Sequence, residues 1–226
     1  AFGGAISTSR DTSIIKSITL KADFITQANP YNQVKTGVEF ISNDLSLEFG
    51  SRNEFLPEGN YWTSMSQKPY RAAFYVQDKL EFQGFVAIAG FILDVYDNDF
   101  FSSNYSADIK DQFETEKIKP QIRISPRLAI SHPITEVSKL YFNYGHYRQI
   151  PIAQDLYRIR RGNTNEVINM GDPNLPLAKT ISYELGYDHA FQNEYLIHIS
   201  AYYKDISDQQ DYTQYLSANS KVIYYQ

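Results

Sequence analysis

The residues that could carry chemistry are few and scattered in this sequence. Four histidines, His132, His146, His189 and His198, lack the H-x-x-x-H or H-E-x-x-H spacing of a helical zinc site. The chain contains no cysteine, which excludes disulfides and thiolate chemistry. Serine and aspartate are numerous, but no G-x-S-x-G nucleophile elbow is present. The sequence therefore predicts no enzyme, no catalytic residues, no cofactor and no metal site, and histidines that line a lumen or an interface.

Two charged segments could bind ions. The segment DVYDND at residues 94–99 gathers Asp94, Asp97, Asn98 and Asp99, and oxygen-rich loops of this kind can hold calcium. Its spacing lacks the glycine and the distant glutamate of an EF-hand loop, so a solvated loop base is the alternative. The segment RIRR at residues 158–161 could contact lipopolysaccharide phosphates or an anionic ligand. A solvated loop is again the alternative.

Four further charges fall on the polar side of alternating segments. Arg123 and Arg127 share the face that Glu184 and Asp188 occupy two predicted strands away. A water-filled or plugged interior tolerates such charges. We therefore expect the four residues to form a charge lattice that lines the inner side of a sheet.

The composition narrows the class of protein. The chain of 226 residues has a net charge of -5, which argues against a nucleic-acid partner. Aromatic residues make up 15%, with 19 Tyr and 14 Phe. Tyrosine concentrates where an apolar medium meets water, as in a sugar-binding groove, a protein interface or the rim of a membrane barrel. No run of residues approaches the length of an apolar membrane helix.

Alternation of apolar and polar residues dominates the chain and predicts β-strands. In the clearest case, Ile181 and Leu185 share one side while Glu184 and Asp188 share the other. The predicted strands are residues 17–25, 33–40, 71–82, 84–95, 122–134, 139–148, 180–190 and 195–204, with a possible ninth at 221–225.

Short and long connections alternate between these strands. The short ones contain Asn29-Pro30 or lie at residues 82–84, 135–138 and 192–194, and the long ones at 41–70, 96–121, 149–179 and 205–220. In an up-and-down sheet every second connection lies at the same end. One end should therefore carry tight turns and the other long loops, as in outer-membrane barrels.

These observations predict an all-β fold, an antiparallel up-and-down transmembrane β-barrel. The length of most predicted strands is near the 9–11 residues that a tilted membrane strand needs. Two alternatives stay open: a secreted β-sandwich whose tyrosine-rich loops hold a glycan, and a complete small eight-stranded barrel.

Several segments resemble the β-barrel of TonB-dependent outer-membrane receptors. They are residues 73–82, AFYVQDKLEF, residues 89–99, AGFILDVYDND, residues 125–151, SPRLAISHPITEVSKLYFNYGHYRQIP, and residues 171–191, GDPNLPLAKTISYELGYDHAF. Family members carry a phrase near G-N-P-x-L-x-P-E-x-T before a strand in YELG. Here the proline is displaced by one position, and Ala178 stands where the family often has Glu.

The resemblance implies an active-transport receptor in the bacterial outer membrane. Such receptors are 22-stranded barrels with a plugged lumen, and they take up metal chelates, cobalamin or glycans with energy supplied by TonB. The sequence shows eight or nine strands, no plug domain and no TonB box, and it ends in Gln226. We therefore expect residues 1–226 to be a partial barrel. Its partners would be membrane lipid, the remaining strands and plug, TonB through that plug, and an unidentified small ligand.

Overall fold

The chain folds almost entirely into β-strands. The computed structural model describes residues 8–52, 61–100, 118–161, 167–192, 194–211, 213–216 and 222–225. The strands are β1 (Thr8–Asp11), β2 (Ile14–Gln27), β3 (Asn32–Arg52), β4 (Tyr61–Gln67), β5 (Tyr70–Phe82), β6 (Phe85–Asp97), β7 (Gln121–Thr135), β8 (Ser138–Gln149), β9 (Ile159–Arg161), β10 (Val167–Met170), β11 (Ala178–Phe191), β12 (Tyr195–Ser207), β13 (Thr213–Leu216) and β14 (Val222–Tyr225). Among the described residues, one short helix, α1, covers Ala153–Tyr157.

Eight long strands form one antiparallel sheet, which we call the wall. Their order is β2, β3, β5, β6, β7, β8, β11 and β12, so each strand pairs with its neighbours in sequence. The short strands β1 and β4 pair with the far part of β3. The fold confirms the predicted antiparallel up-and-down sheet.

The wall has two open edges among the described strands. Strand β2 pairs only with β3, and β12 pairs only with β11. The sheet is therefore not a closed eight-stranded barrel, and its exposed apolar side shows that no second described sheet packs on it as in a sandwich. It is a partial barrel, as the sequence predicted.

The end of the wall with tight turns is called the turn end. Gln83 and Gly84 join β5 to β6 with φ angles of 49° and 81°. Two consecutive positive φ angles define the type I′ turn, which matches the twist of a hairpin. A Cβ on Gly84 would lie 3.0 Å from Cγ of Pro133, so glycine also suits the contact with the next hairpin. The other three predicted turns are confirmed at the same end.

The opposite end, called the loop end, differs from the sequence prediction. Residues 41–70 were expected to form one long loop, but β3 continues to Arg52 and β4 begins at Tyr61. The expected loop at 149–179 contains α1, β9 and β10. The prediction was wrong here because the apolar residues of β3 change from one face of the strand to the other beyond residue 41.

The ninth predicted strand belongs to a different sheet. Strand β14 pairs antiparallel with β13 and parallel with β10, and β10 pairs with β9. This four-stranded sheet is separate from the wall. The residues after β12 therefore do not add a described ninth strand to the wall.

The two faces of the wall differ in chemistry. Register places Val38, Phe74, Leu93 and Ile124 in one row on the apolar face. Val38 is 52% exposed and Ile124 61% exposed, so nothing in the described chain covers this face. A continuous apolar surface of this extent requires an apolar medium or a partner. In the described residues, no helix is long and apolar enough to span a membrane.

Candidate functional site

The opposite, polar face of the wall carries a hydrogen-bonded network near the turn end. Asp188 on β11 accepts from Lys139 on β8, whose Nζ lies 3.2 Å from Oδ2. Its other oxygen lies 2.5 Å from Nδ1 of His198 on β12. Nε2 of the same imidazole lies 3.2 Å from the hydroxyl of Tyr141. One carboxylate thus connects three neighbouring strands across the polar face.

A second acid extends this network along the wall. Oε2 of Glu184 accepts from Nδ2 of Asn143 at 3.2 Å, and Oε1 lies 3.5 Å from the Tyr141 hydroxyl. The residues of β8, β11 and β12 are therefore linked by side chains as well as by the backbone ladder. Such a network fixes the spacing of the strands and presents a rigid polar surface.

Two tyrosines on the polar face lie across glycines of the adjacent strand. The ring of Tyr141 covers Gly186, its register partner, and a Cβ on Gly186 would overlap that ring. On the same polar face but nearer the β2 edge of the wall, Tyr75 lies over Gly37, where a Cβ would be 2.6 Å from Cζ of the ring. The Tyr75 hydroxyl donates to Asp23 on the next strand. Glycine here lets an aromatic side chain bridge three strands.

Arg71 connects three strands nearer the loop end. Its Nε lies 2.8 Å from Oδ1 of Asp94, and its Nη1 lies 3.3 Å from Oε2 of Glu39. The Asp94 side chain is buried, and Arg71 provides it with an ion-pair partner there. Neither Arg71 nor Glu39 was predicted as a site residue, although both lie on the polar side of predicted alternating segments.

The four charged residues of the predicted lattice contact other residues and not each other. Arg123, Arg127, Glu184 and Asp188 all lie on the polar face, as expected from the alternation. However, Arg123 donates to the carbonyl of Ile122, and Arg127 lies over a tyrosine ring. The acids bind residues of β8 and β12 instead. The four residues therefore line the polar face as predicted, but strand β8 lies between the arginines of β7 and the acids of β11, so they do not pair with each other.

An apolar cluster covers the polar side of the wall at the loop end. We call it the mouth cluster: Leu45, Leu47, Phe49, Phe100, Leu156, Tyr157 and Met170. The first three alternate along β3 on the same side as Glu39, and Phe49 is only 7% exposed. The signal was present in the sequence as LSLEFG at residues 45–50, but its apolar side is opposite to that of Val38 and Phe40.

Residues 150–161 and 167–177, together called the docked loop, supply most of the other members of this cluster. Tyr157 donates to the carbonyl oxygen of Asn98 at 3.1 Å, and Asn98 donates to the carbonyl of Pro173. Gln121 on β7 donates to the Leu175 carbonyl at 2.8 Å and accepts from the N–H of Leu177 at 3.2 Å. The loop is therefore held against the wall by polar contacts at both of its halves.

The turn at Gly171 fixes the interior of the docked loop. Its N–H donates to the Arg158 carbonyl at 2.7 Å, and a Cβ would lie 2.8 Å from the carbonyl carbon of Leu156. Burial raises the pKa of the Asp172 carboxyl, although it accepts from the N–H of Asn174 at 2.8 Å. Burial likewise raises the pKa of the Tyr157 phenol, which remains a neutral hydrogen-bond donor.

The segment DVYDND forms part of this anchored region. Asp94 is paired with Arg71, Asp97 accepts from the N–H of Asp99 at 2.8 Å, and Asn98 contacts the docked loop. Within the described ranges, no three histidine, aspartate or glutamate residues are grouped to hold a metal ion. The segment forms the buried base of a packed loop, so the prediction of a solvated loop base was wrong.

The remaining predicted residues are dispersed. In RIRR, Arg158 directly follows α1 and donates from its guanidinium to Oε1 of Gln154, and residues 159–161 form β9. His198 lies on the polar face, whereas His132, His146 and His189 lie on the apolar face by register. His132 stacks edge-on against Phe85 beside the tight turns. The structure does not bring the histidines together.

Comparison with known proteins agrees with this architecture. A family described as TonB dependent receptor-like, beta-barrel, matches residues 3–225. A search of curated proteins gave no significant match. The Serratia marcescens hemophore receptor HasR, solved in complex with its hemophore HasA and heme, is 12% identical with a TM-score of 0.64, over 96% of this chain and 38% of that one. The copper transporter OprC is 14% identical with a TM-score of 0.62, over 94% and 33%.

Proposed function

The chain belongs to the TonB-dependent receptor-like β-barrel family, and from this premise we propose that it forms part of the wall of an outer-membrane transport receptor. The receptor takes up a scarce ligand across the bacterial outer membrane with energy supplied through TonB. The chain spans about a third of the two similar structures, so transport by the whole receptor includes parts beyond these residues.

The observation that carries the proposal is the division between the two faces. The apolar face is exposed along the wall, and the polar face carries the Asp188 and Glu184 networks. A soluble sheet buries its apolar side and exposes its polar side, whereas a membrane barrel does the reverse with its interior polar. The apolar face therefore contacts lipid, and the polar face lines the lumen.

The open edges support the proposed partners. Unpaired backbone groups of β2 and β12 would each cost several kcal/mol in lipid, so we infer that further strands of the same receptor pair with them. The polar network around Tyr141 is a surface on which the receptor's plug can dock. The proposed chemistry is transport without catalysis, and its ligand is a small molecule of unknown identity.

Accessibility of single cysteines tests the facing, because the chain has no cysteine of its own. Leu185→Cys and Ser182→Cys lie on the two faces of β11. In isolated outer membranes, a charged maleimide should label Cys at position 182 and leave position 185 unlabelled. Equal labelling of both positions in these membranes, without detergent, would contradict a membrane wall.

Dependence on TonB needs a separate test. Cells that produce the intact receptor are compared with cells lacking its gene and with cells lacking TonB, using labelled metal chelates, cobalamin and oligosaccharides. We expect uptake of one ligand to be lost in both deletions. Uptake that requires the receptor but persists without TonB would identify a passive channel instead.

A further inference from the structure

One register row of the lumenal face contains three cations and no acid. Adjacent strands pair Lys35 with Gln77, Gln77 with Gly90, and Gly90 with Arg127. The row then continues through Gly145 and Ser182 to Lys204. We call Lys35, Arg127 and Lys204 the cation row. Only neutral residues separate its members.

Each member of the cation row lies against the ring of a tyrosine. The Lys35 ammonium is 5.7 Å from the centre of the Tyr75 ring, and the Lys204 ammonium is 5.4 Å from that of Tyr202. The Arg127 guanidinium carbon is 4.9 Å from the Tyr147 ring centre. A cation–π contact orients a charge without neutralising it. In the described chain, none of the three cations forms an ion pair.

Other lysines of the lumenal face are neutralised by carboxylates. Lys79 lies 2.8 Å from Glu81, and Lys139 lies 3.2 Å from Asp188. Lys21 lies 3.8 Å from Asp23, which also accepts from Tyr75. Acids that flank the cation row are therefore already engaged with other residues. The two sets of cations therefore differ in their partners: carboxylates bind the other lysines, whereas tyrosine rings lie against the cation row.

The cation row runs diagonally from the turn end toward the loop end. Lys35 is three positions from Asn32, the first residue of β3, and Lys204 is nine positions from Tyr195, the first residue of β12. Both strands begin at the turn end. Consecutive cations are three strands apart, or about 14 Å at the usual strand spacing. The row therefore places unneutralised charges at different heights of the lumen.

We propose that the cation row binds an anionic ligand during its passage through the lumen. This inference rests on the proposed transport function and adds the charge class of the ligand, an organic anion with carboxylate, phosphate or sulfonate groups. The guanidinium of Arg127 can engage such a group bidentately, and the ammonium groups of Lys35 and Lys204 bind it as point charges. The tyrosines hold the cations without competing for the anion.

Binding of pyranine, a small aromatic sulfonate, tests the proposal. Fluorescence anisotropy is measured with isolated outer membranes that contain the intact receptor. The triple variant K35Q/R127Q/K204Q should raise the Kd by about tenfold or more, because hydrogen bonds to charged groups are lost. The matched variants K35Q/K204Q and K21Q/K79Q each remove two lysine charges. K21Q/K79Q acts on lysines that are paired with carboxylates outside the Asp188 network, and its Kd should change by less than about threefold.

Three outcomes would overturn the inference. Equal weakening by K35Q/K204Q and K21Q/K79Q would show only the general charge of the lumen, and no weakening by K35Q/R127Q/K204Q would exclude the cation row. Binding that is seen only after urea unfolds the plug would mean that an acidic segment of the plug covers these cations. Cysteine labelling of residues 182 and 185 in each variant keeps these outcomes distinct from failure of the membrane-wall proposal.

Discussion

The two ends of strand β3 bury opposite faces. In the part of β3 that pairs with β5, Val38 and Phe40 occupy the lipid side, while Glu39 lies on the lumenal side with Arg71. Near the loop end, Leu47 and Phe49 occupy the lumenal side and are buried under the docked loop. Pairing with β2 up to Ser46 and with β1 from Phe49 keeps one register across both regions, so the backbone does not cause the change.

The surrounding medium explains the difference. Lipid accepts apolar side chains on the outer side of the wall, whereas water fills the interior. Beyond the hydrocarbon, lipid no longer favours the outer side, and burial comes from protein packing instead. One strand therefore serves as a membrane wall at one end and as the base of a protein core at the other.

The largest expected effect separates the two ends of β3 directly. Phe49→Ala should destabilise the packing of the docked loop by about 3–5 kcal/mol, because it leaves a cavity in the mouth cluster. Hydrogen exchange of the backbone in α1 should accelerate accordingly. Phe40→Ala is the matched change on the lipid side of the same strand and should leave exchange in α1 unchanged. If both variants loosen α1 equally, the two regions are not independent.

A charge on the lipid side should act on the whole wall. Leu128 and Ala129 lie at the middle of β7, on its lipid and lumenal sides respectively. Leu128→Arg should cost about 2–4 kcal/mol in unfolding by urea in lipid vesicles. Ala129→Arg should cost less than about 1 kcal/mol, because the lumen hydrates the guanidinium. Equal costs would contradict the assignment of faces.

The tyrosine-over-glycine contact gives a smaller effect within the lumenal wall. Gly186→Val should cost about 1–3 kcal/mol, because its side chain displaces the Tyr141 ring. The midpoint of urea unfolding reports this loss. Adding Tyr141→Ala should recover part of the stability by removing the clash. A double variant as unstable as the sum of both single changes would show that the two residues do not interact.

The smallest effect concerns pH at the mouth. The pKa of Asp172 in the docked loop is raised above its ordinary value of 3.8, so the folded loop holds this proton more tightly than the unfolded chain does. Docking should therefore be strongest below pH 3.8 and weaken as pH rises through the folded pKa. Asp172→Asn keeps an acceptor for Asn174 and should remove this component. The rate of protease cleavage of the docked loop measures this weakening between about pH 3.5 and 7, the range in which an Asp with a raised pKa titrates. If Asp172→Asn leaves the pH profile of cleavage unchanged, Asp172 is not the group responsible.

The wall was predictable because its signal is local. Period-two alternation located all eight long strands, and Gly84 in its short connection located a tight hairpin turn. Prediction of β3 stopped at residue 40 because the apolar side of the strand changes there. The docked loop was not predictable in detail, since its contacts join Asn98, Gln121 and Tyr157, which are distant in sequence.

The sequence by itself determined an all-β chain, the strands of the wall and the division into a lipid side and a lumenal side. Each of these depends on the alternation of neighbouring residues, which any extended strand projects to opposite faces. The tertiary structure decided which charges meet. Strand register places Asp188 beside Lys139 and His198, and leaves Arg127 over Tyr147 rather than beside an acid. Register and loop docking depend on packing between distant segments, so alternation alone does not specify them.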